Sequence, residues 1–123
     1  MKSNSVGWFE IYVTDTARAR AFYETMLGVT LQRLPADLEM WAFPGDMALP
    51  GASGTIVAAP PGMPVGGNSV MIYFACEDCA VEGGRIAAAG GTVVRDKMDI
   101  GQYGFIVLGK DPDGNMFGLH SIK

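Results

Sequence analysis

Asp15 and Asp78 stand 63 residues apart, and Gly28 and Gly91 keep the same separation. Each aspartate directly precedes a segment with helical spacing of apolar residues and each glycine closes one, so the pairs read as helix N-caps and C-terminal stops. The same offset carries Phe9, Ile11 and Leu31 onto Ile72, Phe74 and Val94, and Trp8 onto Met71. A chain that repeats caps and apolar positions in this way is restricted to two copies of one supersecondary unit.

Periodicity supplies the content of that unit. Residues 6–14 alternate, with Phe9, Ile11 and Val13 on one face and Trp8, Glu10 and Tyr12 on the other, which is the pattern of a half-buried strand. Ala19, Phe22, Tyr23, Met26 and Leu27 then recur at three- and four-residue spacing, which predicts an amphipathic helix. Strands are expected at 29–34 and 38–43, around the turn Pro35-Ala36-Asp37, and at 54–59. The run Pro60 to Asn68, rich in proline and glycine, cannot sustain regular structure. The pattern then restarts with a strand at 69–76, a helix at 79–89 stopped by Gly90-Gly91, and strands at 92–97, 104–108 and 115–121. Gly83 and Gly84 each weaken the second helix by about 1 kcal/mol relative to alanine, so its stability must come from tertiary packing. The expected fold is α+β: one domain of two βαβββ units, about 5–59 and 68–122, joined by a linker at 60–67.

The last two strands are joined by Asp111-Pro112-Asp113-Gly114. Here proline pre-sets one backbone angle, glycine supplies a positive φ, and the Asp111 side chain can cap the backbone. Beyond that turn Phe117 and Leu119 share one face, and Met116, Gly118 and His120, the only histidine, share the other.

Composition excludes several classes of function. The net charge is −4, and the nine basic residues are scattered, which gives no footprint for a phosphate backbone or an anionic membrane surface. There is no apolar run of about eighteen residues and no secretory leader pattern, so a cytoplasmic location is expected. With 49% hydrophobic residues the chain can bury a core without covalent staples. Cys76 and Cys79 form a single Cys-x-x-Cys pair with no second pair or nearby histidine, and they read as a small buried strand residue and a first-turn helix residue.

Two βαβββ units, Val-Thr-Asp opening a helix that contains Ala-Phe-Tyr and ends Leu-Gly, and Asp-Pro-Asp-Gly-Asn before the last strand together resemble the glyoxalase, bleomycin-resistance and extradiol-dioxygenase superfamily, the vicinal oxygen chelate proteins. The resemblance covers essentially the whole chain and is nearest the lactoylglutathione-lyase-related branch. It implies curled mixed sheets with helices on the convex side, concave faces that enclose a small-molecule site, and a homodimer. It also implies, for the enzymes, a divalent metal held by His, Gln or Glu from the first and last strand of each unit. Those ligand positions fall at Trp8, Met71, Gly118 and either Ser53 or Thr55, none of them a good donor for a hard cation. No metal or other cofactor is therefore expected.

Glu10 and His120, on the inferred concave face, remain as candidate catalytic residues, an acid-base pair or a displaced metal site. Trp8, Tyr12, Met40, Trp41, Met71, Tyr73 and Met116 give the expected interior an aromatic and methionine lining beside Gly118, suited to a flat or aliphatic ligand, and Tyr103 could close over it. Arg95 and Lys97 read as solvent-facing charges. The leading expectation is a metal-independent binder of a small apolar or aromatic molecule. The alternatives are a metal-dependent lyase or isomerase acting on a glutathione or thiol adduct, and a dimeric structural or partner-binding module.

Overall fold

The computed structural model of the chain describes residues 4–46 and 48–123. Eight strands and two helices follow one another as β1 (Phe9–Val13), α1 (Thr16–Leu27), β2 (Gln32–Arg33), β3 (Met40–Ala42), β4 (Gly54–Ala58), β5 (Ile72–Ala75), α2 (Cys79–Gly83), β6 (Thr92–Asp99), β7 (Phe105–Lys110) and β8 (Met116–Ser121). The strands form two mixed sheets, ordered β1-β4-β3-β2 and β5-β8-β7-β6. The βαβββ repeat read from the sequence is thus present twice.

The caps form as their residue types dictate. Asp15 accepts the Arg18 amide at 3.0 Å, and Gly28, at φ 69°, ends α1 in the left-handed conformation with its N–H on the Glu24 carbonyl at 2.9 Å. Ala19, Phe22, Tyr23 and Met26 make the buried stripe of α1. Asp78 caps α2 by accepting the Ala80 amide at 3.0 Å and is also held by Lys97 Nζ at 2.9 Å.

The second helix is shorter than its sequence spacing suggests. It stops at Gly83 rather than running to Ala89, and the chain continues to Gly90 as tighter turns, with Arg85 N–H on the Glu82 carbonyl and Gly90 N–H on the Ala87 carbonyl. At Gly83 a Cβ would meet the Val107 side chain on β7 at 3.0 Å. The glycine that weakens the helix lets the segment lie close against its sheet, where Ile86 is fully buried.

The offset seen in the sequence is also the offset of the strand register. In the first sheet Phe9, Glu10, Ile11 and Tyr12 pair in parallel with Gly54, Thr55, Ile56 and Val57. In the second, Ile72, Tyr73, Phe74 and Ala75 pair with Phe117, Gly118, Leu119 and His120. Every partner is displaced by 63 residues. Ile11, Val13, Ile56, Phe117 and Leu119 point to the helix-covered side and belong to one core. That core crosses between the units: the Phe74 ring lies 6.1 Å from Phe9, 5.4 Å from Phe43 and 6.0 Å from Tyr23, and Phe117 lies 5.9 Å from Phe22.

The turn after β7 joins the units by polar contacts. Asp111 is only 4% exposed and accepts the Asp113 and Asn115 amides at 2.9 Å each, the Asn115 amide side chain at 2.9 Å, and the Tyr23 hydroxyl of α1 at 2.7 Å. Asp113 receives the Thr14 amide at 3.1 Å and Arg18 Nη2 at 2.8 Å, and Asn115 donates to the Tyr12 carbonyl at 3.1 Å. Burial first, and then the Asp111 carboxylate, hold the Tyr23 phenol well above its ordinary 10.0. Tyr23→Phe strips one donor from a buried carboxylate and is expected to cost about 1.5–3 kcal/mol in denaturant unfolding at neutral pH. Above about pH 10 the unfolded chain releases a phenolic proton that the folded chain keeps, so Tyr23 stabilises fully below that pH and progressively less above it. The difference between wild type and Tyr23→Phe should therefore shrink as unfolding is measured at increasing alkalinity.

Candidate functional site

Register fixes which side chains share the helix-free face of each sheet. On the first, Trp8, Glu10 and Tyr12 stand with Thr55 and Val57 of β4, Met40 and Ala42 of β3, and Gln32 of β2. On the second, Met71, Tyr73 and Ala75 stand with Met116, Gly118 and His120 of β8, and Ile106 and Leu108 of β7. Trp8 is 43% exposed and Tyr73 48%, so two large aromatic surfaces face solvent within one chain. Trp8 lines a recess of about 410 Å³ with Gln32, Ala42 and Ser53 at one end of the first face.

Trp41 does not join this surface, which corrects its expected place in the lining. It pairs with Ile56, on the helix-covered side, where Arg20 of α1 stacks over its ring at 3.6 Å and Glu39 accepts its indole N–H at 3.0 Å. A strand that starts only at Met40 leaves too few alternations to read its phase from sequence.

Glu10 and His120 lie on the helix-free faces of different sheets and have separate partners. Glu10 is exposed and accepts the Tyr12 hydroxyl at 2.7 Å, and this hydrogen bond, more than burial, raises the Tyr12 phenol. His120 Nε2 lies 2.6 Å from the Tyr103 carbonyl. Tyr103 belongs to a single 3-10 turn (Gly101–Tyr103) bracketed by glycines at φ 79° and 99°, and its side chain is 65% exposed. The imidazole thus fastens the backbone of a turn whose aromatic side chain stands in solvent. No hydrogen bond or ion pair joins Glu10 to His120 among the described residues.

The paired registers also settle which residue of β4 corresponds to Gly118. Glu10 pairs with Thr55 as Tyr73 pairs with Gly118, so the counterpart is Thr55 and not Ser53, whose hydroxyl donates to the Phe43 carbonyl at 3.2 Å. Thr55 is fully buried, and its hydroxyl has no hydrogen-bond partner. The four positions at which the resemblance implies metal ligands thus fall at Trp8, Thr55, Met71 and Gly118. This set offers one neutral hydroxyl and one thioether, and it does not fit a hard divalent ion. Among the described residues no three His, Cys, Asp or Glu side chains gather elsewhere.

At Gly118 the space is taken by Tyr73. A Cβ on Gly118 would collide with the Tyr73 ring, and the Phe117 and Leu119 side chains on either side point into the core. The ring occupies the space where a longer side chain would have projected. Sequence spacing identified the glycine but not the tyrosine that covers it. The signal was the offset, which places Tyr73 opposite Gly118 once β1 and β4 are paired.

Residues 5–119 match the family model described as the Glyoxalase/Bleomycin resistance protein/Dioxygenase superfamily, and the chain belongs to that superfamily. It is similar to the protein named "Putative glyoxylase CFP32" of Mycobacterium bovis, with 29% identity over 91% of this chain. The chain spans 42% of that relative's length. Among solved structures it resembles TnmS3, described as an antibiotic binding protein from Streptomyces sp. CB03234, with 25% identity, a TM-score of 0.71 and 98% of each chain covered. It also resembles a glyoxalase/bleomycin resistance protein from Albidiferax ferrireducens T118, with 21% identity, a TM-score of 0.72, and 93% of this chain and 96% of that one covered. No helix among the described residues is long and apolar enough to cross a membrane.

The stacking of Tyr73 on Gly118 is directly testable. Gly118→Ala must displace the ring and is expected to destabilise by about 1–3 kcal/mol, as overpacking does. In the Tyr73→Ala background the same change should cost less than 1 kcal/mol, roughly, because the obstruction is gone. Chemical unfolding of the four proteins in a double-mutant cycle measures this coupling.

Proposed function

We propose that the chain binds a small, flat, largely apolar or aromatic molecule on its helix-free sheet faces and that it does so without a metal. The observation that carries this reading is the substitution of the whole ligand set by Trp8, Thr55, Met71 and Gly118 on an otherwise intact scaffold, with the Tyr73 ring lying over Gly118. Aromatic and thioether side chains suit dispersion and stacking, and they leave an ion without charge compensation. Similarity to a protein described as antibiotic binding supports the binding of a small molecule. In this reading Glu10, Tyr12 and His120 supply the few polar contacts that orient the ligand, and Met71, Met116 and Tyr103 complete the lining. The exposed Trp8 and Tyr73 further support a homodimer in which a face of one copy meets a face of the other around the ligand.

In a fluorescence titration with planar polycyclic aromatic ligands, binding is expected to be unaffected by a chelator. Trp8→Ala should weaken it about tenfold, the order expected for one lost stacking contact. Affinity that disappears with chelator and returns with zinc, nickel or manganese would sink the proposal, as would stoichiometric metal uptake that Glu10→Ala or His120→Ala abolishes.

A further inference from the structure

The two units differ most where the first one lacks the polar turn of the second. The segment 63 residues before Asp111–Asn115 is Ala48-Leu49-Pro50-Gly51-Ala52. Its glycine is kept, with Gly51 at φ 94° and Gly114 at 83°, but Asp111, Asp113 and Asn115 are replaced by Ala48, Pro50 and Ala52. The receptor groups change as well, since Thr14, Arg18 and Tyr23 correspond to Glu77, Val81 and Ile86. Without that clamp a cleft of about 310 Å³ opens between the loop 44–53, the end of α1, and α2.

The phenyl wall of this cleft belongs to the helix-covered side, while Phe43, Pro44, Gly45 and Ser53 border both it and the recess beside Trp8. Leu27, Val29 and the rings of Phe9, Phe43 and Phe74 form its apolar wall, with ring centroids between 5.4 and 6.1 Å apart. Glu82 of α2 also lines it, at a position occupied by Ala19 in the first unit. Glu82 Oε1 is shut off from water and accepts no hydrogen bond. Burial and then Glu82 itself push the neighbouring Cys76 thiol up to about 12, so it keeps its proton at neutral pH, and its Sγ lies 3.7 Å from the Phe74 carbonyl. Asp46, the other acid of the lining, already accepts the Ala48 amide at 2.9 Å. No lysine or arginine lines the cleft among the described residues.

The geometry points to a second binding site in this cleft for a small organic ammonium ion with an apolar body. The three phenyl rings receive the hydrocarbon part and the adjacent positive charge, and the carboxylate of Glu82, which lines the cleft, pairs with the ammonium group. A carboxylate paired with an ammonium group is the stronger, charge-assisted kind of hydrogen bond, so a neutral ligand of the same shape gains much less.

Titration of the isotope-labelled full chain with benzylammonium chloride and with benzyl alcohol, followed by amide NMR, tests the site. Saturable shifts at Phe9, Phe43, Phe74 and Glu82 are expected for benzylammonium, with at least tenfold weaker binding of the alcohol. Glu82→Gln should weaken benzylammonium at least tenfold and leave the alcohol unchanged. Equal affinity for the two probes in the unaltered chain would overturn the proposal. So would the absence of saturation at millimolar concentration, or shifts confined to Trp8, Tyr73 and Gly118, and none of these outcomes depends on how the variant folds.

Discussion

The carboxylate of Asp111 is the contact on which the arrangement of the two units depends. It is buried, so every lone pair left without a donor would carry a desolvation penalty. Two backbone amides of its own turn, the Asn115 side chain and the Tyr23 hydroxyl satisfy it together. Three of those donors shape the turn, and the fourth belongs to α1 of the other unit. Asp113 adds the Thr14 and Arg18 contacts on the same side. One carboxylate therefore serves both the local turn and the docking of the units, beside the aromatic contacts of Phe74 and Phe117 with α1.

The superfamily scaffold persists here while the donors that would hold a metal do not. The helix-free faces present a tryptophan, three methionines, a tyrosine folded over a glycine and a buried hydroxyl without a partner. Glu10 and His120 are spent on Tyr12 and Tyr103 within the chain, one shaping a phenol's environment and the other fastening a turn. Duplication has left the two halves unequal: the half with the Asp-Pro-Asp-Gly-Asn turn is closed against its neighbour, and the half with Ala-Leu-Pro-Gly-Ala is open.

Much of this was legible from periodicity and caps. Asp15, Gly28 and Asp78 do what their residue types imply, because an N-cap or a left-handed stop is satisfied within a few residues. Alternation likewise assigned Trp8, Glu10 and Tyr12 to one face and Phe9, Ile11 and Val13 to the other. The failures lie where a distant partner decides. α2 ends at Gly83, which packs against Val107, and Trp41 pairs with Ile56 on the helix side, where Arg20 stacks on it.

By itself the sequence determined the repeat, the caps and the fold class, since each is a matter of residue type at a spacing set by local geometry. Tertiary structure alone decided that Tyr73 fills the place of a side chain at Gly118, that Thr55 rather than Ser53 is its counterpart, and that Asp111 binds the units together. It also left a cleft beside Glu82. These are contacts between strands and helices far apart in the chain, and their existence depends on registers and packing distances that no local pattern encodes.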